Sequence, residues 1–235
     1  MADSAIIKII NLTKRFHVGT GEFTALHNIN LSFGKGEFAG LVGPSGSGKT
    51  TLLNIIGSLD SPSDGDVIVC DQSVSGLTIR QSALLRNYNI GFIFQTYNLL
   101  PVYTVFENVE FALLLQKHTA TERRKAVLEA LEWVGLTDKE KSKPSQLSGG
   151  ECQRVAIARA MVKRPVLVLA DEPSANLDAK NSNNIVQTMK RLNKELNTTF
   201  IFATHDEKVM QYLNRIITLK DGTIEEDNLI QNAKN

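Results

Sequence analysis

The chain has 235 residues, 42% apolar and 22% charged, with a formal net charge of +1 from 26 Lys and Arg against 25 Asp and Glu. That is ordinary globular composition and excludes collagen-like, disordered and disulfide-scaffold classes. A charge of +1 gives no global reason to bind nucleic acid or an anionic membrane surface, so no nucleic-acid partner is expected. Cys70 and Cys152 are too few for a disulfide framework and suit a reducing compartment. Asp3 stands where a signal peptide needs positive charge. The longest apolar runs, Phe111–Leu115 and Val166–Ala170, fall far short of the about 20 residues of a spanning helix. The expectation is a soluble, cytoplasmic protein that reaches a membrane only through a partner.

In chain order, the β-type runs Ile6–Leu12 and Ala25–Phe33 flank a Gly19-Thr20-Gly21 turn and predict an antiparallel hairpin. Phe38–Val42 reads as a short buried strand, Thr50–Leu59 as a buried helix, and Val67–Cys70 and Ile90–Phe94 as further strands. From about Tyr97 to Ser145 the pattern changes. Thr121–Val134 places Val127, Ala130, Leu131 and Val134 at helical spacing, so this stretch reads as a helical insert ending in the polar Asp138–Pro144 linker. The α/β alternation then resumes, with strands at Val166–Ala170, Thr199–Ala203 and Arg215–Leu219 and a helix at Ser182–Leu196. Asp227–Asn235 reads as a frayed tail.

The glycines are unevenly placed. Six of the 16 lie between Gly34 and Gly48, so one short region needs backbone freedom or close approach to a ligand. Within it, Gly43-Pro44-Ser45-Gly46-Ser47-Gly48-Lys49-Thr50 fits G-x-x-x-x-G-K-[ST] in full, between a strand and a helix. Small residues there let backbone N–H groups converge on phosphate oxygens, and the following helix N-terminus adds favourable potential. Lys49 reaches the terminal phosphates, and the Thr50 hydroxyl is a hard oxygen ligand for Mg²⁺. Far downstream, Val166–Ala170 runs into Asp171-Glu172. Asp171 at the strand tip can hold Mg²⁺, and Glu172 can polarise an attacking water.

A third motif, Leu147-Ser148-Gly149-Gly150-Glu151, opens the helix that continues Cys152-Gln153-Arg154. Ser148 and Glu151 form a capping box, and the two glycines expose the first N–H groups of a second phosphate-binding terminus. Cys152 lies just beyond these glycines and is expected to have little effect on the chemistry there; an alternative is a redox-sensitive thiol.

With these three motifs the sequence resembles the nucleotide-binding subunits of ABC transporters over nearly its whole length. The resemblance implies ATP and Mg²⁺ as cofactors and an α/β fold: a P-loop NTPase core with a mixed sheet, an N-terminal antiparallel β subdomain and an inserted helical subdomain. The core would span about 1–95 and 146–235, and the helical part about 96–145. The nucleotide-binding set would be Phe16 (stacking on adenine), Gly43, Pro44, Ser45, Gly46, Ser47, Gly48, Lys49, Thr50, Thr51, Gln95, Ser148, Gly149 and Gly150. Thr50, Gln95 and Asp171 would hold the metal; Glu172, His205 and Lys49 would be catalytic. Ser174–Asp178 matches the D-loop, with Ser174-Ala175 where relatives often carry Thr-Gly.

Such subunits pair head to tail on ATP binding, so Ser148, Gly149 and Gly150 would act on the partner copy's nucleotide. Separately encoded integral membrane permease subunits would dock on the helical insert. The stretches Leu53–Asp60, and Phe94–Pro101 with Thr104–Val109, are similar to ATPases of lipoprotein-release and macrolide-export systems; the latter pair is shared in part with amino-acid importers. A subunit that regulates cell-wall or division machinery through a membrane partner, without transport, remains open at this point. A GTPase is disfavoured because no Asn-Lys-x-Asp motif occurs.

Overall fold

Residues such as Val, Ile, Phe and Thr dominate the runs that form strands, and their alternation decides which face each side chain joins. The structure, a computed structural model, describes residues 5–19 and 21–230. β1 (Ile7–Val18) and β2 (Gly21–Phe33) form the expected antiparallel hairpin, longer than predicted, with Val18 opposite Gly21. Gly19 in the turn has φ +61, and Thr20 lies outside the described residues. β3 (Phe38–Val42) is buried throughout and leads to α1 (Lys49–Ile56). α1 stops short of the predicted Leu59, because Gly57 ends it and Leu59 is exposed. β4 (Asp64–Val69) and the short β5 (Gln72–Ser73) follow. Cys70 falls outside β4 with a positive φ.

α2 (Ile79–Asn89) was not expected. It buries only Leu85, so its sequence carries no apolar stripe, and its signal is the Thr78/Gln81 capping box. β6 (Ile90–Ile93) precedes the stretch read from the sequence as a helical insert, in which α3 (Val105–Glu110) and α4 (Ala120–Trp133) form. The Asp138–Pro144 stretch predicted as a linker is not wholly irregular: single 3₁₀ turns lie at Thr137–Lys139 and Pro144–Gln146. α5 (Gly149–Met161), β7 (Leu167–Asp171) and α6 (Ala179–Leu196) come next; α6 starts earlier than predicted because Asp178 caps it through the Asn181 N–H. β8 (Thr199–Ala203), α7 (Glu207–Met210), β9 (Arg215–Lys220) and β10 (Thr223–Leu229) complete the chain of elements.

The strands make two sheets, in orders β2-β1-β4-β5 and β10-β9-β3-β8-β7-β6. The first is antiparallel; in the second β6, β7, β8, β3 and β9 run parallel and β10 is antiparallel at the edge. Parallel strands are covered on both faces, and alternation shows how. Val168, Ala170, Phe200 and Phe202 join one core with α3, α4, α5 and α6. Leu167, Leu169, Ile201 and Ala203 join the other, with α1 and the antiparallel sheet. Val105, Val109, Val127 and Leu131 of the insert lie in the first core, so the insert packs on the same wall as the parallel strands.

The tail prediction is corrected over Asp227–Leu229, which belong to β10. Most of β10 faces solvent, so no alternation marked it. It is tied down by Arg215, whose Nε and Nη2 donate to both Asp227 carboxylate oxygens at 2.7 Å while Nη1 donates to Glu37 Oε2 at 3.0 Å. Residues 231–235 of the predicted tail lie outside the described residues.

Arg215→Gln should lower unfolding free energy by roughly 2 kcal/mol, the scale of a lost charged hydrogen-bond pair, and speed amide exchange in β10 selectively. Urea titration and hydrogen exchange read both effects; unchanged exchange in β10 contradicts the anchoring role.

Candidate functional site

Ligands in open parallel sheets bind at the carboxyl ends of the strands, and here those ends converge. Leu41 of β3 and Asp171 of β7 both stand opposite Ala203 of β8, while Ile93 of β6 stands opposite Ala170. Each strand therefore delivers its next residues to one rim: Gly43 onward, Asp171-Glu172, Thr204-His205 and Gln95.

The loop after β3 begins at a position that only glycine fits. Gly43 has φ +144, and a Cβ there would lie 2.0 Å from the Leu219 carbonyl oxygen. The loop then wraps the Lys49 ammonium, whose Nζ donates to the Gly43 and Pro44 carbonyls at 2.8 Å each. Lys49 and Ser47 are buried. Gly48 caps α1 with no side-chain hydrogen bond, so the first-turn N–H groups of α1 keep no side-chain partner. A helix terminus of this kind, beside a buried cation, suits phosphate.

Opposite it, Thr50 Oγ1 donates to Asp171 at 3.1 and 3.2 Å from the two carboxylate oxygens. Burial raises the Asp171 carboxyl above the usual carboxylate range; the Thr50 hydrogen bond opposes this, and the Glu172 charge adds to it. A second negative charge held in this setting favours a cation. One hydroxyl and one carboxylate are hard oxygen donors, and Mg²⁺ is characteristically held by few protein ligands together with phosphate oxygens. Among the described residues no cluster of three or more His, Cys, Asp or Glu could form an all-protein metal cage. The residues present therefore fit Mg²⁺ bound with a phosphate ligand.

Glu172 has φ +45, a strained conformation for a glutamate. Its N–H donates to the Ala203 carbonyl, its Oε1 lies 2.5 Å from His205 Nδ1, and its Oε2 accepts from Thr204 Oγ1 at 3.3 Å. The His205 side chain is 71% exposed, whereas that of Glu172 is 16% exposed.

A cavity of about 550 Å³ gathers Phe16, Phe23, Ser45, Gly46, Ser47, Gly48, Lys49, Thr50, Thr51, Gln95, Asp171, Glu172 and His205. Gly43 and Pro44 contribute through their carbonyls on Lys49 rather than as lining. Phe16 and Phe23 are cross-strand partners on β1 and β2, so two rings face the cavity where one was expected. Lys14 Nζ sits 4.9 Å from the Phe16 ring centroid, leaving one ring face for another partner. Gln95 is exposed, and its carbonyl accepts from Asn176 Nδ2 at 2.9 Å.

Ser148, Gly149 and Gly150 do not line this cavity. Ser148 and Glu151 form the expected capping box of α5. The two glycines differ in environment. Gly149 is exposed, whereas Gly150 is buried where a Cβ would lie 2.9 Å from Asn181 Oδ1 on α6. Close helix packing therefore accounts for Gly150 within this chain. Burial raises the Cys152 thiol, the Glu151 charge adding to it, and Sγ lies 3.7 Å from the Pro144 carbonyl. Sequence reasoning missed Gln153 and Arg159 on α5. Gln153 is fully buried and donates to the Pro173 carbonyl at 2.8 Å, and Arg159 holds the carbonyls of Tyr97 and Asn98. For Gln153 the available signal was a polar residue inside the buried stripe of α5.

Residues 26–175 match the family model described as ABC transporter. The chain belongs to that family and is an ATP-binding cassette ATPase. It is 42% identical to the chain in a dimeric post-hydrolysis structure of the ATP-binding cassette MJ0796 bound to ADP and Pi. That match covers 96% of this chain and 99% of the other, with a TM-score of 0.88. A second dimeric structure of MJ0796, described as a bacterial ABC transporter cassette, is 43% identical over the same shares, with a TM-score of 0.89. CbiO1 from Clostridium perfringens, part of the ABC transporter complex CbiONQ, is 29% identical over 96% of this chain and 88% of its own, with a TM-score of 0.86.

Gly43→Ala should weaken ATP binding at least about tenfold, since the added Cβ forces the loop off its present path; titration with a fluorescent nucleotide measures it. The Cys152 thiol should react with a maleimide more slowly than a free cysteine at pH 7.5, because burial holds it protonated. Cys152→Ala should leave turnover and its sensitivity to oxidants unchanged; an oxidant response that this variant abolishes would restore the redox alternative.

Proposed function

We propose that the chain is the ATP-hydrolysing subunit of a membrane transporter of export or lipoprotein-release type, acting as a head-to-tail dimer. The observation that carries this is the division between two phosphate-suited helix ends. The α1 terminus lines the cavity with Lys49, Thr50, Asp171, Glu172 and His205. The α5 terminus, with Ser148 and Gly149 exposed, lies outside that lining. A second copy would bring its α5 terminus over the first copy's nucleotide. The dimeric MJ0796 structures support this reading.

In this reading Lys49 and the α1 N–H groups hold the phosphates, and Phe16 stacks on the adenine. Thr50, Asp171 and Gln95 would hold Mg²⁺, which when bound neutralises charge on the phosphate oxygens. Glu172 accepts the proton of the attacking water at a carboxylate oxygen, and Thr204 keeps the other oxygen oriented. His205 leaves Glu172 to reach the terminal phosphate. The residues at about 96–145 form the helical subdomain that receives motion.

No helix among the described residues is long and apolar enough to cross a membrane. Exposed apolar side chains lie on α2 (Ile79, Leu84, Tyr88) and in the insert (Phe111, Leu114, Leu115). Gln116 Nε2 donates to the Asn87 carbonyl at 2.9 Å and joins the two regions. Such a patch supports docking onto permease subunits encoded elsewhere, at the inner face of the cell membrane. CbiO1 is described as part of a multi-component transporter complex, in keeping with that arrangement. Leu53–Asp60 supports the export-type subgroup. A neighbouring gene for a four-span permease with a large extracytoplasmic domain is the expected context; a solute-binding protein beside a many-span permease would point to import.

Glu172→Gln should bind ATP, accumulate as a dimer in size-exclusion chromatography with Mg²⁺ and ATP, and lose about 10²–10⁴-fold in turnover. Normal turnover in that variant would remove Glu172 from the role of base.

A further inference from the structure

Arg159 is a partly buried cation that the hydrolysis scheme above does not use. Its Nη1 donates to the Asn98 carbonyl at 2.6 Å and its Nη2 to the Tyr97 carbonyl at 2.7 Å. Among the described residues no carboxylate pairs with it. Burial pulls its pKa down, as expected for a guanidinium with no counter-charge. A cation placed this way is costly unless its hydrogen bonds serve the fold or the site.

The two carbonyls belong to an unusual turn. Tyr97 has φ +58 and Asn98 φ +50, so two consecutive non-glycine residues are left-handed. For a bulky residue such as tyrosine that is a genuine outlier. The turn is local and tight: Tyr97 N–H donates to the Phe94 carbonyl at 3.3 Å and Asn98 N–H to the Thr96 carbonyl at 2.6 Å. Gln95, on the cavity, lies inside this turn. On its other side, the Tyr97 hydroxyl lies 3.0 Å from where a Cβ on Gly149 would sit, against the first turn of α5. The strained turn thus stands between the cavity and the exposed N-terminus of α5, and Arg159 grips its backbone.

We propose that Arg159 is a positioning residue: its forked bond to the Tyr97 and Asn98 carbonyls holds the left-handed turn and thereby keeps Gln95 on the cavity that Thr50 and Asp171 also line. This rests on the reading of the cavity as a Mg²⁺-nucleotide site. The guanidinium fork spans two neighbouring carbonyls, which a lysine ammonium does as a single point charge only. Without the fork the turn relaxes, and only a fraction of molecules present Gln95 correctly. Apparent affinity then falls by that fraction, while saturating ligand selects the seated form.

The test compares wild type, Arg159→Gln and Arg159→Lys, with Tyr97→Gly or Tyr97→Ala added to Arg159→Gln. Two readouts are taken: ATPase rate against Mg²⁺ concentration, and amide hydrogen exchange at Thr96–Asn98 in the protein without nucleotide. In Arg159→Gln the half-saturating Mg²⁺ concentration should rise about tenfold, with kcat at saturation within about twofold of wild type. Exchange at Thr96–Asn98 should accelerate, and Arg159→Lys should lie between. Adding Tyr97→Gly should restore the Mg²⁺ dependence, because glycine adopts the left-handed conformation without strain. Tyr97→Ala, which loses the same ring but keeps the strain, should not.

Unchanged exchange and Mg²⁺ dependence in Arg159→Gln overturn the proposal. So does a loss confined to kcat, or equal rescue by glycine and alanine; both mark a merely structural side chain. If thermal melting shows that Arg159→Gln does not fold, the same comparisons are made in Arg159→Lys. A wild type without Mg²⁺-dependent ATPase activity would sink the cavity assignment, whereas the exchange measurement judges the Arg159 grip independently of hydrolysis.

Discussion

The register between β3, β8 and β7 is the constraint on which the cavity depends. Ala203 faces Leu41 on one side and Asp171 on the other. That single alignment places the phosphate loop, the Asp171-Glu172 pair and His205 at one height on the sheet. A slip of one residue would turn every side chain to the opposite face. Such a slip is opposed from both sides, because Phe200 and Phe202 fill one core and Ile201 and Ala203 the other. The geometry of the cavity is held by core packing beneath it, as well as by contacts within the cavity.

α5 connects that sheet to the rest of the molecule. Its apolar side lies in the core shared by the parallel strands and the insert. Its polar residues reach outward to two loops: Gln153 to the Pro173 carbonyl just after Glu172, and Arg159 to the turn after Gln95. The helix whose exposed start is suited to a partner's phosphate therefore also touches both loops of its own site.

Legibility in the sequence followed the physical source of each signal. β3 and β8 were read at their observed bounds because every residue in them is buried. The need for glycine at the start of the loop after β3 was legible because a positive φ and a backbone contact at Gly43 leave glycine as the residue that fits. α2 and β10 were missed because each faces solvent over most of its length, so neither shows a period. The glycines before α5 were readable as a motif but not in their separate reasons; Gly150 answers to Asn181, 31 positions away, which local pattern cannot reveal. Arg159 was invisible for the same reason: a single arginine in a helix does not announce that it faces two carbonyls about 60 residues upstream.

The position of β3 in the sheet has a consequence for how the molecule comes into being. β3 is an early segment, but its two ladder neighbours are β8 and β9, far downstream. During synthesis the hairpin of β1 and β2 can close soon after it emerges, since its contacts are local. The strand that carries the phosphate loop cannot pair until residues beyond 203 have left the ribosome. Its ladder edges stay unpaired through most of translation. The loop after β3 is thus among the first stretches to be made, and the cavity it lines is among the last parts to be assembled; the interval is a window for chaperone capture and for aggregation.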